Sequence, residues 1–146
     1  MLKSLFPLKK GLKSNKHYLC NSQEVISVKI REQYTCHLEL THDITRGKWK
    51  PIILWQLRLG NTSLSNLEKE IKGINQKMLL EHLKELIEFG MVNKKTFNSY
   101  PLKVEYFLTN RGKSILEALT IMQQIGIELM MESGMQDVLK EKGLID

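Results

Sequence analysis

The sequence predicts a mainly α-helical α+β domain built from four short helices, a two-stranded hairpin and a long last helix. Apolar residues recur at helical spacing from 75 to 89, with charged residues on the opposite face. Two strand-like runs, 91–96 and 104–108, then flank a polar Asn-Ser-Tyr-Pro tip. Because helices followed by such a hairpin give the order of a winged helix-turn-helix, we expect this fold, with a two-stranded β-wing and a terminal dimerisation helix.

Length and charge limit the other possibilities. A chain of 146 residues with 42% hydrophobic content can bury one core and is too short for two ordinary domains. The formal net charge of +6 favours a polyanionic partner, although a basic surface would also suit an anionic membrane. No apolar run approaches the roughly 20 residues of a membrane-spanning helix, and the N-terminal segment lacks the apolar core of a signal peptide. We therefore expect a soluble, cytoplasmic protein with no membrane partner.

The chain divides into three zones. Residues 1–27 are rich in Lys, Asn and Ser and show no sustained periodicity, which predicts a poorly ordered basic tail. Residues 28–132 are expected to form the winged helix-turn-helix domain together with its dimerisation helix. Residues 133–146 are expected to form a C-terminal helical extension.

The helices before the hairpin are predicted from their caps and breakers. Residues 37–45 form a short helix that Gly47 closes, since glycine tolerates a left-handed turn. Pro51 suits the first turn of the next helix, whose apolar residues are too dense for a surface helix and are assigned to the core. Ser65 and Glu68 match a capping box, which predicts the start of the first helix of the helix-turn-helix.

The second helix of the motif is predicted to begin at the N-cap Asn75, after the turn residue Gly73, and to end at Gly90. Its expected core positions are Leu79, Leu83, Leu86 and Ile87, and its opposite face carries Lys77, Glu81, Lys84 and Glu88. The wing that follows carries basic residues on both sides of its tip, namely Lys94, Lys95 and Lys103. One face of this helix therefore packs, and the other is exposed for recognition.

The last helix is expected to mediate dimerisation, with Thr109 as its N-cap. Its apolar residues form a stripe that one small domain can hardly cover by itself, which indicates a second subunit as the partner surface. The residues expected at the dimer interface are Leu119, Met122, Ile125 and Leu129.

Four motifs occur in order within residues 34–127. They read Gly47-Lys-Trp-Lys-Pro-Ile-Ile-Leu-Trp, Ile74-Asn-Gln-Lys-Met-Leu, Leu83-Lys-Glu-Leu-Ile-Glu-Phe-Gly-Met-Val and Val104-Glu-Tyr-Phe-Leu-Thr-Asn-Arg-Gly. The set resembles the HxlR-type winged helix-turn-helix transcriptional regulators. The resemblance implies a homodimeric bacterial regulator that binds pseudo-palindromic operators in double-stranded DNA. Many such proteins sense electrophiles or oxidants through a cysteine just ahead of the first domain helix, the position of Cys36 in this chain, although the family usually has Cys-Pro there and this chain has Cys36-His37.

Candidate DNA contacts follow from the polar side chains of the second helix and the wing. Gln76 and Lys77 lie in the first turn of that helix beside Asn75, and Gln and Lys pair with adenine and guanine edges respectively. The residues expected to contact phosphate are Lys84, Lys94, Lys95 and Lys103. The competing interpretation is that these lysines only solvate the surface. Glu81 and Glu88 would repel phosphate unless they pair with the lysines of the same helix.

Cys36 has two interpretations. A thiol near a helix N-terminus has its thiolate favoured by the helix dipole, which a redox sensor requires. Alternatively, the residue is small and buried and fills a gap, the commonest fate of a free cysteine. Cys20 would be a resolving thiol for such a sensor or, more simply, an incidental residue of the tail.

No motif predicts a cofactor, a metal site or catalysis. Cys36, His37 and His42 lack zinc-ligand spacing, and no phosphate loop or nucleophile elbow occurs. Trp49 and Trp55 are assigned to the core, with a ligand cavity beside them as the alternative. Two rival functions stay open. One is a regulator controlled by a small-molecule inducer at the dimer interface, and the other is a winged-helix protein-interaction module that binds an acidic partner.

Overall fold

The structure is a computed structural model that describes residues 33–146. The predicted basic tail at 1–27, which includes Cys20, lies outside the described residues. The elements are α1 (His37–Thr45), α2 (Trp49–Gln56) with a 3-10 turn after it (Leu57–Leu59), β1 (Thr62–Ser63), α3 (Leu64–Glu70), α4 (Gln76–Glu88), β2 (Val92–Phe97), β3 (Lys103–Leu108), α5 (Asn110–Glu132) and α6 (Gln136–Glu141). This order confirms the expected mainly helical α+β winged helix-turn-helix with a long C-terminal helix.

The sheet has three antiparallel strands in the order β1, β3, β2. The wing is the two-stranded hairpin that the sequence predicts, with Phe97 opposite Lys103 next to its tip. The third strand, β1, was not expected, and it pairs with the other edge of β3 so that Ser63 lies opposite Glu105. A two-residue strand has no alternation for a sequence pattern to detect, whereas its pairing covers an edge of β3 that would otherwise be open.

Helix α3 begins at Ser63 and not at the predicted capping box. Ser63 is the N-cap, and its hydroxyl oxygen accepts a hydrogen bond from the Asn66 N–H at 3.3 Å. Ser65 lies inside the helix, so the prediction of Ser65 as the cap was wrong. The pairing of β1 with β3 holds Ser63 in the extended conformation that an N-cap residue adopts.

The core lies where α2, α3, α4 and α5 meet the sheet. Its fully buried side chains include Ile53, Leu54, Leu67, Leu79, Leu83, Leu86 and Val92. Trp49 and Trp55 are half-buried against this core, as expected for packing anchors. Leu119 also belongs to the core, with only 7% of its surface exposed, whereas the sequence predicted it at the dimer interface. It faces inward because α5 packs on α2 and β3 of its own chain.

The start of helix α5 contacts the turn that follows α4. The Thr109 hydroxyl oxygen accepts a hydrogen bond from the Gly112 N–H at 3.1 Å, which confirms the predicted cap, and the hydroxyl donates to the Gly90 carbonyl at 2.6 Å. Gly112 lies directly against this turn, since a Cβ atom added to it would be 2.1 Å from the Met91 carbonyl oxygen. Only glycine allows α5 to approach the backbone this closely.

Gly112→Ala is expected to destabilise the domain by about 1–3 kcal/mol, because the new methyl group must displace either the Met91 carbonyl or helix α5. Gly126 is a matched control, since it lies in the same helix and a Cβ atom added there meets nothing within 4 Å. Gly126→Ala should leave stability unchanged or raise it by about 0.5–1 kcal/mol. Urea unfolding followed by circular dichroism measures both variants, and equal stability of the two would contradict the importance of the contact at Gly112.

Candidate nucleic-acid interface

Helix α4 separates its side chains into a buried face and an exposed face. The buried positions are Leu79, Leu83 and Leu86, none more than 1% exposed. Gln76, Lys77 and Lys84 are exposed on the other side of the helix. The structure therefore places three of the predicted contact residues on one solvent-facing surface of α4.

Leu80 lies on the same exposed surface and was not singled out from the sequence. It is one turn from both Lys77 and Lys84, and 44% of its surface is exposed. The signal was available, because this leucine falls among the polar positions of the helix and not with the buried leucines. An apolar group at such a position suits contact with a thymine methyl group in the major groove.

Asn75 is the N-cap of α4, as predicted. Its Oδ1 atom accepts a hydrogen bond from the Met78 N–H at 2.9 Å. This bond uses one acceptor position of Oδ1 and leaves both amide hydrogens of Asn75 as donors. Gly73, with a φ of 91°, makes the left-handed turn that leads into the cap. Turn and cap together present the first turn of α4 to solvent, since residues 75–77 are all exposed.

The glutamates of α4 do not neutralise the lysines of its exposed face. Within residues 33–146, no ion pair joins Lys77 or Lys84 to Glu81 or Glu88. A different residue of α4, Glu85, pairs with Lys50 of α2, with 2.5 Å between Nζ and Oε2. Lys50 is buried, and a buried ammonium group is tolerated only when it is paired, so this ion pair ties α4 to α2.

The wing lysines lie on two faces of the hairpin. Side chains alternate along a strand, so Lys95 and Lys103 share one face with Phe97, while Lys94 belongs to the other face. The Nζ atoms of Lys95 and Lys103 are 5.1 and 5.4 Å from the centroid of the Phe97 ring, within the range of a cation–π interaction. The three lysines predicted from the sequence are therefore all at the wing, but they do not form one surface.

Glu105 lies among these wing charges and was not identified from the sequence. Its Oε1 atom is 2.8 Å from Lys103 Nζ, and the strand register places it directly opposite Lys95. The hydrogen bond from Lys103 is the main cause that lowers the pKa of Glu105, and the Lys103 charge, a hydrogen bond from Asn61 and the Lys95 charge lower it further against partial burial. The Glu105 side chain is therefore a carboxylate near neutral pH.

Cys36 is exposed and is the N-cap of α1. Its carbonyl oxygen accepts a hydrogen bond from the Glu39 N–H at 3.1 Å, whereas its side chain makes no capping hydrogen bond. The alternative of a buried residue that fills a gap does not hold for Cys36, because the side chain is open to solvent. His37, the next residue, is also exposed.

Two open depressions lie on the surface of residues 33–146. One is on α1, and the other lies between the 3-10 turn, β1 and α3. Neither includes Trp49 or Trp55. Instead, a cationic side chain lies over each tryptophan ring. Lys48 Nζ is 4.3 Å from the centroid of the Trp49 ring, and Arg58 Cζ is 4.3 Å from that of Trp55. Neither depression is therefore the cavity that the ligand interpretation expects beside the tryptophans.

Helix α5 carries an apolar stripe that the described part of the chain, residues 33–146, leaves exposed. The stripe consists of Ile121, Met122, Ile125 and Leu129, which are 63%, 63%, 50% and 58% exposed. Three of its members were predicted from the sequence, and Ile121 was not. A contiguous exposed surface of large apolar side chains is typical of a protein–protein interface.

Metal binding and membrane insertion have no structural basis within residues 33–146. No group of three or more His, Cys, Asp or Glu side chains in this part of the chain is arranged to hold a metal ion. No helix of the same part combines the length and the apolar character needed to cross a membrane.

The capped α4 with its exposed polar face, followed by a basic wing, defines a helix-turn-helix DNA-binding protein. The model of the HxlR-like helix-turn-helix family matches residues 44–134. The chain belongs to this family, as its sequence motifs indicate, and it is a DNA-binding transcriptional regulator and not an enzyme.

Individual similar proteins agree with this assignment. The chain is 38% identical over 95 residues to the uncharacterized HTH-type transcriptional regulator YkvN of Bacillus subtilis (strain 168), across 65% of this chain and 80% of that protein. It is 31% identical to the redox regulator HypR in its oxidized form, with a TM-score of 0.61 over 64% of this chain and 96% of that one. It is 29% identical to the reduced form of the transcriptional regulator YodB from B. subtilis, with a TM-score of 0.57 over 62% and 90% of the two chains.

Proposed function

We propose that this regulator binds a pseudo-palindromic operator as a homodimer, with α4 as the recognition helix and the β2–β3 hairpin as the wing. The observation that carries the proposal is the division of α4 into a buried leucine face and an exposed face with Gln76, Lys77, Leu80 and Lys84. A helix held in this way enters a major groove with its first turn towards the base edges. Gln76 then pairs with adenine and Lys77 with guanine, while Lys84 and the wing lysines contact phosphate.

The proposed dimer forms through the apolar stripe of α5. Burying this stripe removes large apolar side chains from water, and a two-fold pair presents two recognition helices about one DNA turn apart. That spacing is what a pseudo-palindromic site requires. Leu119 is not part of the proposed interface, since its surface is already covered by its own chain.

The proposed signal is an oxidant or an electrophile that modifies Cys36. Two observations support this: the thiol is exposed at the start of α1, and the chain is similar to HypR, which is described as a redox regulator. Modification there would shift how the two subunits meet, and with it the separation of the recognition helices, without contact between Cys36 and DNA. A coupling of about 1–3 kcal/mol changes operator affinity by up to roughly two orders of magnitude, which is enough for regulation.

Gln76→Ala and Lys77→Ala are each expected to cost about 1–3 kcal/mol of operator binding and to relax sequence preference, because base-edge contacts carry discrimination. Lys94→Ala, on the wing, should weaken binding to operator and scrambled duplex alike. Fluorescence anisotropy titrations with both duplexes give the specificity ratio for each variant. If that ratio is unchanged in both α4 variants, α4 is not the helix that recognises the base sequence.

Met122→Asp and Ile125→Asp are expected to convert the dimer to a monomer with reduced operator affinity, because a buried unpaired carboxylate opposes association. Gln124→Asp introduces the same side chain at an exposed position of α5 outside the stripe and should leave the dimer intact. Sedimentation velocity at micromolar concentration measures the three variants. A monomeric wild-type protein under these conditions would refute the proposed interface.

Cys36→Ser is expected to bind operator normally and to lose its response to diamide or a quinone, since the reactive thiol is gone. Cys20→Ser is the control and should respond like the wild-type protein. Operator binding is measured before and after treatment, and labelling with a thiol reagent reports the modified position. A response that persists in Cys36→Ser would place the sensor elsewhere.

A further inference from the structure

One face of the wing holds a carboxylate between two ammonium groups. Lys95, Phe97, Lys103 and Glu105 share this face, because they occupy alternating and directly opposed positions of β2 and β3. Lys103 forms an ion pair with Glu105 at 2.8 Å, and Lys95 lies directly opposite Glu105 in the strand register. The two lysines expected to contact phosphate from this face therefore already have an anionic neighbour within the protein.

The carboxylate is more enclosed than the lysine with which it pairs. The Glu105 side chain is 19% exposed, whereas that of its partner Lys103 is 59% exposed. β1 covers the adjacent edge of β3, with Ser63 opposite Glu105. Glu105 is therefore the more enclosed partner of this ion pair, and its carboxylate lies beside Lys103 on the face of the wing that the two lysines share.

We propose that Glu105 is an electrostatic restraint on the wing, which weakens the contact of Lys95 and Lys103 with the phosphates of any DNA. A phosphate that approaches Lys103 competes with the carboxylate for the same ammonium group and is itself repelled by the carboxylate. Since phosphate contacts carry no sequence information, the restraint lowers the non-specific share of the affinity. The inference rests on the proposed DNA binding, and it identifies Glu105 as a residue that limits the electrostatic part of the binding free energy.

The test compares Glu105→Gln with the wild-type protein in titrations of operator and scrambled duplex at several salt concentrations. Glutamine keeps the shape of the side chain and one acceptor oxygen but removes the charge. Because the proposed dimer carries two wings, one more effective phosphate contact per wing should steepen the slope of log K against log salt by about 1.8, and scrambled duplex should bind up to about sixtyfold more tightly at 0.1 M salt. The operator should gain by a similar factor.

Two further variants separate this effect from a change of net charge. Glu117→Gln removes the same charge from an exposed position of α5 and should leave the salt slope unchanged. In a Lys103→Met background, Glu105→Gln should have a smaller effect, because only Lys95 is left to be released. Glu105→Thr, a residue that strands favour, repeats the removal of the charge with a different side chain, and thermal unfolding verifies that each variant is folded.

The outcomes distinguish this inference from the proposed function. An unchanged salt slope in both Glu105 variants overturns the restraint and leaves DNA recognition by α4 intact. Weaker DNA binding in Glu105→Gln also overturns it, since Glu105 would then position Lys103 for phosphate. If the wild-type protein binds neither duplex, the proposed function fails, whatever the variants do.

Discussion

Burial of the leucine face of α4 is the constraint on which the rest of the structure depends. Leu79, Leu83 and Leu86 lie in the core with at most 1% of their surface exposed, and full burial of each contributes about 1.5–3 kcal/mol. Any rotation of α4 about its axis would expose these side chains and bury lysines. The ion pair between Lys50 and Glu85 acts at the same packing interface, because a shift of α4 away from α2 would leave the buried Lys50 ammonium group unpaired.

The orientation of α4 is passed on to the wing and to α5 by short connections. Gly90 and Met91 lie between α4 and β2, and their carbonyl groups are contacted by Thr109 and by Gly112 at the start of α5. The end of α4, the base of the hairpin and the first turn of α5 therefore meet at one point. A dimer formed through α5 would in this way control the spacing of two recognition helices through contacts that have little freedom to adjust.

The net charge of the protein says less about DNA binding than the positions of its charged side chains do. The net charge of +6 suggests a broadly cationic surface, yet Lys50 is neutralised inside the fold and Lys103 is paired on the wing. The lysines of the exposed face of α4 carry no such ion pair within residues 33–146. The helix that would read bases thus keeps its positive charge, while the element that would contact only the backbone has part of its charge offset. In such an arrangement the wing contributes less to the affinity for any DNA, and the contacts of α4 supply a larger share of the binding free energy.

The sequence by itself determined the features that depend on neighbouring residues: the leucine period of α4, the caps Asn75 and Thr109, and the hairpin with its polar tip. These are local because helix periodicity, capping and turns act over a few residues. Tertiary structure alone decided which serine caps α3, since β1 pairs with β3 at Ser63, and which apolar residues of α5 face the core, since Leu119 packs within its own chain. It also decided that Lys50 meets Glu85, because that pair joins helices far apart in the chain and no local pattern encodes their contact.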